Sequence, residues 1–108
     1  MRTGWIFAAA ALLLLAPVEA RAFECPGHIA EARAMIDKVN GEIAGMKGRM
    51  TGDSADMVHS LLDYAEMYLA GARHNHEKPQ GAYDHARAIA KADSARSYAA
   101  AAGMLLAR

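Results

Sequence analysis

From Ile29 the apolar residues Ala32, Ile36, Val39, Ile43, Met46 and Met50 follow at alternating intervals of three and four. Residues so spaced share one face of an α-helix, and a single continuous seam of this kind packs nearly parallel to its neighbours. The spacing predicts a helix over about His28 to Gly48, with Glu31, Arg33, Asp37, Lys38, Glu42 and Lys47 on the solvated side. Gly41, Gly45 and Gly48 weaken its second half by roughly 1 kcal/mol each relative to alanine, so that half needs tertiary support.

A second stripe, Val58, Leu61, Leu62, Ala65, Tyr68, Leu69 and Ala72, predicts a helix from about Ala55 to Arg73 or His74. Thr51-Gly52-Asp53-Ser54 forms the intervening turn, where Asp53 or Ser54 is expected to cap the second helix. A third helix is expected from Pro79 or Gln80 to about Leu106, because alanine dominates that stretch and has the highest helix propensity. Its core face is harder to read. A frame through Ala82, Ala86, Ile89, Asp93, Arg96, Ala100 and Met104 puts two charges on the seam. A frame through Tyr83, Ala86, Ala90, Asp93, Ser97, Ala100 and Met104 is no cleaner, so close packing on small side chains is expected.

The expected fold is therefore all-α, a small antiparallel three-helix bundle. Residues 1–22 are read separately, as a signal peptide, leaving one domain over 23–108. Met1-Arg2 gives a positive start, Trp5 to Ala16 is apolar throughout, and Ala20-Arg21-Ala22 is the small-x-small pattern of a cleavage site. The apolar run falls short of the roughly 20 residues of a membrane span. Cleavage after Ala22 would deliver Phe23–Arg108 to a periplasm or the exterior, with no remaining membrane anchor. The chain has 12 basic and 12 acidic side chains, and losing Arg2, Arg21 and Glu19 leaves a net charge of about minus one. A near-neutral chain lacks the electrostatic footprint of a nucleic-acid or anionic-lipid binder.

The polar chemistry gathers at the bend Arg73-His74-Asn75-His76-Glu77-Lys78-Pro79-Gln80-Gly81-Ala82-Tyr83-Asp84-His85. Three helices joined by short turns alternate up, down, up, which brings His28, His74, His76 and His85 to one pole, with Cys25 just before. Imidazoles ligate copper and zinc, and Cys25, Glu77 or Asp84 could complete a shell. His74, His76, His85 and His28 are thus the candidate ligands of a divalent ion. On an intact helix His74 and His76 point to nearly opposite sides, so both converge only if the second helix frays before Pro79. The competing reading is that cations suit a helix C-terminus.

Cys25 is the single cysteine. It forms no disulfide within the chain, and in an oxidising compartment it is a thiol, a ligand, or a link to a partner or second copy. Cys25-Pro26-Gly27-His28 has a Cys-x-x-His spacing, but alone that is a weak metal signal, and the favoured reading is a short tail with a helix starting at Pro26-Gly27. Met46, Met50, Met57 and Met104, near the opposite pole, are expected in the core rather than on copper(I), and Tyr64 and Tyr68 as packing or rim residues.

His74-Asn75-His76-Glu77-Lys78 followed by Tyr83-Asp84-His85-Ala86-Arg87-Ala88 resembles the small exported bacterial helical bundles of the small metal-binding protein type. That resemblance implies a monomeric bundle binding several divalent ions, notably copper, with His74, His76 and His85 as the residues that carry over. No phosphate-cradling Gly-rich loop, Gly-x-Ser-x-Gly elbow or His-Glu-x-x-His helix is present in the sequence, and a non-enzymatic role is expected.

Overall fold

A computed structural model describes residues 2–46, 48–50 and 52–107, with side chains in the first of these segments described from residue 24 onward. The signal-peptide reading of 1–22 falls on side chains outside the described residues. Among the described residues three helices make up the fold: α1, Arg2–Met46; α2, Asp53–Glu77; and α3, Asp84–Leu106. All three pack on one another in an all-α bundle. Among the described residues, no helix is long and apolar enough to cross a membrane.

The seams of α1 and α2 are those expected. Ala32, Ile36 and Val39 of α1, and Val58, Leu62, Ala65, Leu69 and Ala72 of α2, are buried, with Ile29, Ile43, Met50, Leu61 and Tyr68 packed around them. The seam of α3 is neither frame considered above. It runs through Ala88, Ala92, Ala95, Ala99 and Ala102, at intervals of four and three, every one fully buried. With only methyl groups on that face, α3 lies close to both partners. A Cβ placed on Gly103 would sit 3.3 Å from Val39 Cγ2, tighter than ordinary van der Waals contact. Asp93 and Arg96 lie off the seam and exposed, where they meet α1 instead of the core.

Three boundaries differ from expectation. α1 does not begin at Pro26-Gly27 but runs through it from upstream. Proline forfeits one backbone hydrogen bond, but Cys25 is in register with the α1 seam, seven residues before Ala32, and its burial holds this turn against α3. α3 starts at Asp84, not at Pro79 or Gln80. The Asp84 carboxylate explains the loop: Oδ2 accepts the Gln80 amide at 2.6 Å, Oδ1 accepts Arg87 Nη1 at 2.5 Å, and the Asp84 amide donates to the Gly81 carbonyl at 3.2 Å. The bonds to the carboxylate, first from the Gln80 amide and then from Arg87, hold the Asp84 carboxyl below its ordinary pKa.

The third boundary is the start of α2. Neither Asp53 nor Ser54 caps it; Gly52 is the N-cap, without a side-chain cap, at φ 73°. That backbone conformation favours glycine, and the capping hydroxyl or carboxylate gives way to it. Asp53 and Asp56 lie instead in the first turn, where they complement the helix dipole. Gly48, at φ 81°, turns the chain after α1, where the Arg49 amide and Nε both donate to the Met46 carbonyl.

Charged pairs join the helix edges and set their register. Arg33 of α1 reaches Glu66 of α2 through two hydrogen bonds of 3.0 and 2.7 Å, while Nε donates to Asp37 at 3.0 Å. Arg96 of α3 donates to Glu31 of α1 at 3.0 Å. These pairs are exposed, so each contributes about 0–1 kcal/mol and orients the helices more than it stabilises them.

Candidate metal centre

Each helix seam, followed to the pole where α1 packs against the α2–α3 bend, ends on a residue able to ligate a metal. On α1 it is Cys25. On α2 the run Leu62, Ala65, Leu69, Ala72 continues at the next interval of four to His76. On α3 the step of three before Ala88 is His85. The three side chains lie together at this pole, and their ligand atoms all lie within 4.8 Å of one another.

Cys25 is fully buried, while His76 and His85 are half-buried. The thiol donates to the His85 backbone carbonyl at 3.3 Å, and its sulfur lies 3.9 Å from His85 Nδ1. The two imidazoles meet edge to face, with centroids 5.8 Å apart and planes at 66°. His76 Nδ1 is buried and has no hydrogen-bond partner among the described residues. A buried polar nitrogen without a partner costs about 1–3 kcal/mol, which a cation ligated at that nitrogen would recover. Burial pushes the Cys25 thiol above its ordinary pKa, opposed by a backbone hydrogen bond and reinforced by the charge of Glu24. The thiol is therefore protonated at neutral pH, and a bound cation is what would draw out the thiolate.

The expected ligand set divides. His76 and His85 come together; His74 and His28 do not join them. α2 stays helical through Glu77, so His74, two residues from His76, is exposed on another face. Its backbone carbonyl accepts the Lys78 amide at 2.9 Å, which closes the helix. Glu77 is exposed, and Asp84 is engaged by the loop and Arg87. Cys25, expected only as one of several residues that could complete the shell, is the third member of the group in place of His74 and His28. The signal was its place seven residues before Ala32 on the seam.

His28 turns to α3, where Nδ1–H donates to Asp93 Oδ1 at 2.7 Å. That hydrogen bond raises the His28 pKa; burial opposes it, and the charges of Asp93, Glu31 and Glu24 add to it. The sign follows from a folded-state value above the unfolded one near ~6.5. The pair's contribution to stability is fully present below that unfolded value and fades as pH rises through the folded one. NMR titration of the His28 ring is expected to show the elevated midpoint, and Asp93→Asn to return it toward about 6.5. A midpoint indifferent to Asp93→Asn would contradict the pairing.

At the other pole Met50 packs on the core, as expected, but Met57 and Met104 are more than half exposed. The frame assumed for α3 misplaced Met104, which lies two residues beyond Ala102 of the true seam. Tyr68 stacks on Tyr98 with centroids 5.4 Å apart, and Tyr64 meets the same ring at 5.5 Å from a more exposed position. They are packing and rim residues.

Comparisons with protein-family models, with curated proteins and with solved structures find no match to this chain.

Proposed function

We propose that this is an exported helical-bundle protein that binds a transition-metal ion, copper or zinc, through Cys25, His76 and His85. The observation that carries the reading is the convergence of three ligand atoms within 4.8 Å, one from the end of each helix seam. The orphaned His76 Nδ1 adds to it. A centre with metal–sulfur and metal–nitrogen bonds of about 2.3 and 2.0 Å separates sulfur from nitrogen by roughly 3.5–3.7 Å. The Cys25–His85 separation of 3.9 Å is already close to that.

The role in this reading is binding and not catalysis, which the burial of the Cys25 thiol supports. The same burial weighs against a Cys25 disulfide to a partner or a second copy. Export rests on the leader read in residues 1–22, and the mass of the secreted protein is expected to correspond to a chain beginning at Phe23.

Titration calorimetry of reduced protein with zinc(II) tests the site. Micromolar or tighter binding of one ion is expected. His76→Ala and His85→Ala should each weaken it by about 100-fold, a per-ligand share of a structural zinc site. His74→Ala and His28→Ala should leave it unchanged. Affinity should fall on acidification, because the ligating imidazoles must be neutral. Equal losses at His74 and His76 would point to diffuse histidine binding and sink the three-residue site.

A further inference from the structure

Donor count and charge at this pole discriminate between the two metals. Resting on the metal-binding reading above, we infer that the site is built for a monovalent soft ion, copper(I), held by three donors. Among the described residues, the ligand atoms that converge are those of Cys25, His76 and His85 alone. The carboxylate that could have supplied a fourth, Asp84, takes the Gln80 amide and Arg87, and Asp93 is held by His28. Structural zinc is almost always four-coordinate, and a three-ligand zinc needs water in its fourth position. The sulfur that would anchor it is fully buried. Copper(I) is satisfied by three donors, and thiolate is among the soft ligands that favour it.

Charge points the same way. When the ion displaces the Cys25 proton, one thiolate and two neutral imidazoles surround it. Copper(I) then gives a neutral centre, whereas zinc(II) leaves one positive charge at a layer backed by Ala72 and Ala88, both fully buried. A net charge beside an apolar core is costly unless paired; the Asp84 carboxylate is already paired with Arg87, and Glu24, whose charge reaches Cys25, is exposed to solvent that screens it.

The test is anaerobic competition of the full mature protein against a chromogenic copper(I) chelator, and separately against a chromogenic zinc chelator. X-ray absorption of the copper-loaded form accompanies it. One copper(I) per chain is expected, with one sulfur and two nitrogens in its shell. Zinc should be held at least tenfold more weakly relative to what its chelator strength allows. C25S should lose copper(I) affinity by about 100-fold while staying helical by circular dichroism. H76A gives the same reading should C25S fail to fold. Zinc held tightly and lost in C25S, with copper(I) held poorly, would leave the metal site standing and overturn the copper(I) assignment. Copper(I) held equally by C25S and H76A, as thioethers elsewhere would hold it, also overturns the assignment. Neither metal retained would overturn both readings.

Discussion

Ile36→Asp unfolds the bundle at room temperature. Ile36 is fully buried and is among the largest side chains wholly removed from solvent, midway along the α1 seam. Truncating a buried isoleucine costs about 2–5 kcal/mol. An aspartate there adds a buried carboxylate with no partner, roughly 3–5 kcal/mol more, so the total reaches about 5 kcal/mol or more. A small domain has little margin against this, near the lower end of roughly 5–15 kcal/mol. Ile36→Val, which removes one methylene, should cost only about 1 kcal/mol. Urea denaturation followed by circular dichroism measures both. A folded, unshifted Ile36→Asp would mean that α1 does not pack by this seam.

The second large effect lies on α3. Ala95→Leu should destabilise by about 1–3 kcal/mol or more, because its face meets both other helices through methyl groups and has no space for three extra carbons. In a domain this small that lowers the melting temperature by about 4–8 °C per kcal/mol. Ala90→Leu is the matched control: Ala90 is exposed, and its change should stay within about 0.5 kcal/mol. The pair also decides between frames, since one plausible reading of the sequence placed Ala90 on the seam. Equal effects at the two positions would refute the alanine seam.

That contrast shows what the sequence makes legible. α1 and α2 could be read because Ile36, Val39, Val58, Leu62 and Leu69 stand out against polar neighbours at helical intervals. α3 could not, because alanine occupies its core and its surface alike, and hydrophobicity gives no contrast between Ala92 and Ala90. The frame emerges only when alanine counts as a core residue in its own right.

The centre was half legible for a related reason. Antiparallel topology correctly gathers the histidines at one pole, but topology does not say which side of a helix each presents. Extending the α2 seam one interval past Ala72 separates His76 from His74, and extending the α3 seam back from Ala88 selects His85. Cys25 could be named as a possible ligand, but its place on the α1 seam was masked by Pro26-Gly27, which imitates a helix start although the helix runs through it. His28, drawn toward the histidine group by topology, is held by Asp93 through a hydrogen bond the sequence does not announce.

The central claim is that a thiolate and two imidazoles from three different helices close on one ion. Titration with cobalt(II), a divalent stand-in for zinc that reports sulfur ligation by its colour, tests this ligand set most directly, whichever metal the site prefers. The account predicts a thiolate-to-cobalt charge-transfer band that saturates at one ion per chain. That band should be abolished in Cys25→Ser, lost or strongly weakened in His76→Ala and His85→Ala, and unchanged in His74→Ala. Cobalt binding without that band, or a band that survives His76→Ala and His85→Ala together, would contradict it.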